Sequence, residues 1–405
     1  MSSRDIFLNI LDFRKCDRTL KWELGYWGAT ILRWQAEGLP KKSDFQRGLI
    51  KGEFVNGPGM HSPMPSYGDT DDKLINLSDK DIAAYFNFDK GTSPFKFNWF
   101  YCPFFEEKIV NEAEEKVEYI DNLGIRSLRY KDDRSMPQWL EHPIKTESDW
   151  EEIKRDRLSL TNFNKRYTVS DIEGYISESK KRDYPLLLFG DPVGFFGILR
   201  FMIGEENLYY WYYDKPVFLK NILDHLCNLW LNIAEELTSK IDFDYGYFFE
   251  DMAYKGGSLI SPAIFKEFIA PYYKKLIDFA KTKRLRHFIL DSDGYMEDMI
   301  PLFQEAGITG ILPWEIRAGN DLERIRHNYP QLGIFGGIDK TALTNKQLID
   351  KELEKVKIMI KKGGYVPYVD HAVPPDVCWN NFKYYREKLN LIIDSTRIIS
   401  SKIGS

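Results

Sequence analysis

The sequence predicts an α/β protein: a (β/α)8 TIM barrel with an N-terminal helical extension and a small antiparallel β insertion. Three observations lead there. Past residue 180 short apolar runs alternate with longer amphipathic segments, the pattern of parallel strands joined by right-handed helical crossovers. Six such runs follow one another, and two earlier candidates, Leu24 to Trp27 and Phe97 to Tyr101, bring the number to eight. No glycine-rich phosphate loop follows the first strand, a feature that would support the competing arrangement, a doubly wound open sheet.

The whole chain, 1–405, reads as one barrel domain. Residues 1–90 form a helical segment that includes the first strand; within it Thr30 to Glu37 reads as a helix ended by Gly38 and Pro40. Asn56 to Pro65 is a turn-rich loop in which His61 reads as a surface histidine. Residues 91–142 are the β-rich insertion. There Glu115 to Ile120 and Ile125 to Tyr130 alternate with period two around the turn Asp121-Asn-Leu-Gly124. A helix begins at Glu147 with acids in its first turn. Residues 180–395 hold the main repeats, with strands at Pro185 to Gly190, Phe243 to Phe249, His287 to Leu290, Gly310 to Pro313, Leu332 to Phe335 and Tyr365 to Val369. Amphipathic segments such as Leu219 to Lys240 and Lys346 to Lys361 supply the helices between them.

Composition narrows the function. With 43% hydrophobic and 15% aromatic residues in 405, the chain can bury a large core. No run reaches the ~18 apolar residues of a membrane helix, and the charged start is not a signal peptide, so the expected location is the cytoplasm. The four cysteines stand far apart without a Cys-x-x-Cys, which suggests neither disulfides nor a thiolate zinc site. Basic and acidic side chains, 56 against 61 for a net charge of −5, are interspersed, so neither nucleic acid nor a membrane is an expected partner.

The strand ends carry the chemistry, as they do in barrels of this type. They read Glu250-Asp251, Asp291-Ser-Asp293, Trp314-Glu315, Asp339 and Asp370-His371. Unpaired buried carboxylates are costly, so a positive group is expected to meet them. Asp291 and Asp293 are two apart on extended chain and point the same way. With His371 they would make an O, O, N ligand set leaving one open position, as in catalytic zinc sites. Residue types alone leave an alternative open: Asp291 caps a helix, Asp293 ties a loop and His371 is an ordinary polar residue. His287, ~13 Å back along its strand, reads as structural.

Leu259-Ile-Ser-Pro-Ala-Ile-Phe-Lys-Glu-Phe-Ile-Ala-Pro-Tyr-Tyr-Lys274, Asp291-Ser-Asp-Gly294, Gly336-Gly-Ile-Asp339 and Asp370-His-Ala-Val-Pro-Pro-Asp376 together resemble the uroporphyrinogen decarboxylase superfamily over roughly residues 180–390. The resemblance implies a (β/α)8 barrel and one of two activities, decarboxylation or cobalamin-dependent methyl transfer. True decarboxylases carry an N-terminal Arg-Gln-Ala-Gly-Arg whose arginines grip carboxylates. Here Arg33-Trp-Gln-Ala-Glu-Gly38 lacks the second arginine, and the acidic mouth would repel such a substrate.

The thiol methyltransferases of the superfamily hold zinc by His-x-Cys and a later Cys, and these positions resemble Asp291, Asp293 and His371. The set has moved from sulfur to oxygen and nitrogen, suited to polarising an ether oxygen. The resemblance thus implies methyl transfer from a small methoxylated, aryl methyl ether substrate, with zinc as Lewis acid and the cobalamin of a corrinoid protein as acceptor. Tyr26, Trp27, Tyr247 and Trp314 would wall the substrate pocket, with Glu315 beside them. Glu250 would be a fourth ligand or proton donor, and Asp251 would orient a ligand or Lys255. A non-catalytic binding protein on the same fold, and decarboxylation of a smaller acid gripped by Arg317, Lys255 or Lys340, are the competing readings. A homodimer is compatible with all of them.

Overall fold

The computed structural model describes residues 1–41, 51–52, 54–58, 80–91, 93–94, 97–131, 137–161, 163–167 and 171–398. His61 and most of its loop lie outside the described residues. Gly25–Trp27 (β1) pairs antiparallel with Phe54–Asn56 (β2). Ser93–Pro94 (β3) is followed by a four-stranded antiparallel meander of Lys108–Glu112 (β4), Lys116–Ile120 (β5), Arg126–Tyr130 (β6) and Gln138–Glu141 (β7). Then come Leu186–Phe189 (β8), Tyr245–Phe249 (β9), the small hairpin Ala253–Tyr254 (β10) with Gly257–Ser258 (β11), Phe288–Asp291 (β12), Gly310–Leu312 (β13), Gly333–Phe335 (β14) and Tyr365–Val366 (β15).

Seven of these strands form one parallel sheet in the order β3-β8-β9-β12-β13-β14-β15. Each new strand is added on the same side as the last, so the order never reverses as it would in a doubly wound sheet. Beyond β15 the ladder is prolonged by single parallel bridges, Ile338 to Val369 and Tyr26 to Val373, which bring β1 alongside the last strand segment. Among the described residues no strand pairing closes the sheet into a ring, so the molecule is a mixed α/β structure on a singly wound parallel sheet. The run Phe97 to Tyr101 is not a strand. The Asn98 side chain accepts from the Phe100 N–H and donates to the Tyr101 carbonyl, curling the backbone locally, while Trp99 offers its carbonyl to the Trp230 indole. Its aromatic rings serve as core anchors rather than as sheet, and β3 takes the edge position.

The strands are short continuous apolar runs because both faces are covered. Leu186 to Phe189 and Phe288 to Asp291 are buried at every position. The helix Pro216–Thr238 starts with proline in its first turn and buries Leu219, Ile222, Leu223, Leu226, Trp230, Ile233 and Leu237, a stripe at three- and four-residue spacing. Lys346–Lys362 is capped by the Asn345 side chain, which accepts from the Gln347 and Leu348 N–H groups, and turns Ile349, Leu353, Val356 and Ile360 inward. Among the described residues no helix is long and apolar enough to cross a membrane.

The last helix, Trp379–Ser395, ties the chain's end to its beginning. Arg386 is fully buried, 3.3 Å from the Glu23 carboxylate, and it donates to the Trp22 carbonyl and to Asn390 while lying over the Phe88 ring. Glu23 in turn accepts from the Val369 N–H and from Tyr385. Removing one member of such a buried network strands the other. Arg386→Ala is expected to lower stability by about 3 kcal/mol or more, measured by chemical denaturation. An unchanged midpoint would show that the network holds nothing together.

Candidate functional site

Register brings the acidic ends of neighbouring strands to one edge of the sheet. Asp291 lies opposite Phe249 of β9 and Leu312 of β13, so Glu250, Asp251, Asp293 and Trp314 all emerge at the same level. Backbone bonds lock that edge: the Glu250 N–H donates to the Asp291 carbonyl and the Ser292 N–H to that of Leu312, at 2.9 and 2.8 Å.

Several of the acids turn out to tie loops. Glu250 is fully buried and accepts from the N–H groups of Phe195, Phe196 and Gly197 at 2.7 to 2.8 Å and from the Tyr273 hydroxyl. It holds the turn that enters the helix Gly197–Ile203, and its hydrogen bonds leave it neither a proton donor nor a metal ligand. The approach is close enough that a Cβ on Gly194 would stand 1.8 Å from the Phe249 carbonyl oxygen. Glu315 accepts from the Gly294 N–H at 3.0 Å and from Lys340 at 3.3 Å, fastening one loop to the next rather than facing a substrate. Asp370 accepts from the N–H groups of Ile316 and Lys340, and burial pushes its carboxyl up to about 6. Asp339 caps the turn at Thr341.

The remaining polar groups form a cluster. His371 Nε2 stands 3.4 Å from Asp293 Oδ2, and the His371 ring lies 6.4 Å from that of Trp27 and 6.5 Å from that of Phe54. Burial opposes the charged imidazole, but the hydrogen bond to Asp293 and its charge prevail and raise the His371 pKa. The Asp293 N–H donates to the Asp251 carboxylate, whose residue is held at φ 47°. Asp251 is pushed up to about 7, first by burial and then by the charge of Asp293. Arg200 donates to the Asp251 carbonyl at 2.7 Å and pairs with Glu205. Lys255 lies exposed in the turn between β10 and β11 and does not take that role.

Asp291 faces inward. It is 3% exposed and accepts from the Tyr247 hydroxyl. Its pKa is raised by burial, then by the charges of Asp191 and Asp251. The three expected zinc ligands therefore divide: Asp293 and His371 meet each other, while Asp291 engages Tyr247. Among the described residues no group of three or more His, Cys, Asp or Glu side chains is arranged to hold a metal ion. Trp27 borders the cluster, and Trp314, two residues past the register partner of Asp291, is fully buried. Tyr26 is not at the mouth. It packs edge-on against Trp34 and Phe382 on the helical side, because alternation along β1 sends neighbouring side chains to opposite faces.

Asp191 went unnoticed in the sequence. It follows β8 after a sharp turn in which Phe189 and Gly190 both have positive φ, 76° and 99°. Both of its carboxylate oxygens are buried without a hydrogen-bond partner among the described residues. The signal was available: Leu186-Leu-Leu-Phe-Gly-Asp191 is an apolar run ending in an acid, the same pattern that marks Asp291.

Residues 120–390 match the family model described as "Uroporphyrinogen decarboxylase (URO-D)". The chain belongs to the uroporphyrinogen decarboxylase family. A protein named uroporphyrinogen decarboxylase from Trichlorobacter lovleyi is 27% identical over 134 residues, covering 32% of this chain and 37% of that relative, so the match spans little more than a third of the relative's own length. Within the family frame Arg33 is committed elsewhere: it pairs with Glu37 at 2.7 Å and donates to the Pro375 carbonyl.

Two outcomes check these assignments. Glu250→Ala leaves three buried N–H groups unpaired and is expected to cost about 3 kcal/mol or more of stability; a variant that melts like the parent yet loses activity would make Glu250 chemical instead. Elemental analysis of protein purified without chelator is expected to find well under one zinc per chain, whereas stoichiometric zinc lost in Asp293→Ala or His371→Ala would restore the three-ligand site.

Proposed function

We propose that the chain is a methyltransferase that moves a methyl group from a small methylated substrate to the corrinoid of a partner protein, on the closed (β/α)8 frame of which the singly wound sheet is the major arc. The observation that carries this reading is the sign of the site. Asp191, Asp251, Asp291 and Asp293 gather at the strand ends, while Arg200, which acts on Asp251, is engaged by Glu205, Lys340, which acts on His371, by Glu315, and Arg33 by Glu37. A polycarboxylate substrate would find those cations engaged and would be repelled by any of these acids that ionised. The partner's corrinoid would supply the nucleophile that takes the methyl.

The chain's own contribution is positioning and proton supply. Asp251, with a pKa near neutrality and partial exposure, is placed to protonate the heteroatom from which the methyl departs. The His371–Asp293 pair holds the rim, and Trp27 offers a ring face for the substrate body. A zinc ion on Asp291, Asp293 and His371 would require the Tyr247–Asp291 and His371–Asp293 contacts to break, so leaving-group activation falls to Asp251. An aryl methyl ether remains within the substrate class, held by Trp27 with Tyr247 and Trp314 behind it. A cytoplasmic location suits the reaction, since a reduced corrinoid and four unpaired cysteines belong to the same reducing compartment.

The test is the cobalamin spectrum on mixing the protein with a reduced corrinoid protein and a panel of methoxylated aromatics and methylamines. Methylation of cobalt with at least one donor is expected, lost about 100-fold in Asp251→Asn. The protonated Asp251 is the active form, so kcat/KM should fall as pH rises through about 7. Carbon dioxide release without corrinoid would favour the decarboxylase reading.

A further inference from the structure

The deepest part of the acidic cluster differs from its rim. Asp293 and His371 are partly exposed and answer each other, while Asp191 and Asp291 are each 3% exposed. Asp291 has the Tyr247 hydroxyl; Asp191 has no hydrogen-bond partner on either oxygen among the described residues, and the charge that acts on it from them is that of another acid, Asp251. Asp191 acts electrostatically on both Asp291 and Tyr247, so the three share one space. A second unsatisfied group lies within the field of Asp291: the Tyr368 hydroxyl is fully buried and has no hydrogen-bond partner among the described residues. Trp314, two residues past the register partner of Asp291, is also fully buried, and its indole N–H has no partner among the described residues.

We propose that Asp191 and Asp291, with the rings of Tyr247, Tyr368 and Trp314, form the floor of a site for an organic cation, a substituted ammonium group. Burial and neighbouring acids disfavour the charged forms of Asp191 and Asp291, and a cation lodged between them would restore those charges. A small hard ion needs three or more ligands converging at bonding distance, and no such set exists among the described residues. A methylated ammonium spreads its charge over a larger, partly apolar surface. It is held by carboxylates at longer range and by aromatic faces, which is what the floor offers. The proposal rests on the methyl-transfer reading for the choice of this site, and it narrows the substrate class from methyl ethers to methylated amines. There the departing atom leaves as a neutral amine and needs neither a Lewis acid nor the proton of Asp251, whose role as acid is confined to ether donors.

Calorimetric titration of the full chain, with no corrinoid protein present, separates this proposal from the reaction itself. Choline and tetramethylammonium are expected to bind, with the neutral isostere 3,3-dimethylbutan-1-ol weaker by about tenfold or more. Asp191→Asn, which keeps the shape and removes the charge, is expected to weaken choline binding about tenfold or more while leaving the neutral alcohol unchanged. Should that variant fail to fold, the comparison of cation with isostere on the parent protein decides alone. Equal binding of the alcohol, no binding of either cation, or binding of magnesium or zinc in competition with choline would overturn the proposal. Failure of methyl transfer with choline binding intact would leave the cation site standing and remove only the reaction.

Discussion

A carboxylate taken out of water persists only where something answers its charge. The edge of this sheet is organised by how each acid is answered. Glu250 and Asp370 are met by backbone N–H groups, Glu315 by Lys340, Asp293 by His371 and Asp291 by a tyrosine hydroxyl. Asp191 finds no hydrogen bond among the described residues. The acids with full complements of backbone donors fix the loops; those left short stand together where a ligand would complete them. Function is thereby sorted from architecture by a single quantity, the unmet demand of a buried oxygen.

Family membership and local chemistry pull in different directions here. The chain shares a frame with proteins named uroporphyrinogen decarboxylase. Yet Arg33 folds back on Glu37 and on the Pro375 carbonyl, and the strand ends converge as acids. The frame needs only apolar strands and amphipathic crossovers, which tolerate any charge at their tips. The tips decide what can enter.

How much of this was legible in the residues follows the same division. The strands β8, β9, β12, β13 and β14 stand where apolar runs predicted them, and the helix Pro216–Thr238 matches its stripe, because burial imposes periodicity directly. At Phe97 to Tyr101 the expected strand is absent because alternating aromatics fit a strand and a core anchor equally well, and only the Asn98 side chain distinguishes them. Among the acids, position was readable and direction was not. Asp291 and Asp293 share a face on extended chain, but the strand ends at Asp291, so Asp293 turns to His371 instead of joining it. Nothing local to Glu250 announces the turn at Phe195 that consumes it, so residue types alone point to chemistry there.

The cluster is assembled from residues spread between Asp191 and His371, with Trp27 arriving from the first strand. Its last member is placed by the chain's two ends together. The bridge between Tyr26 and Val373, the Thr30 hydroxyl on the Val373 carbonyl and the Arg33 bond to Pro375 hold the segment that carries His371. No single strand-and-helix unit contains a working portion of the site. The cluster therefore exists only where the first and last segments of the chain meet.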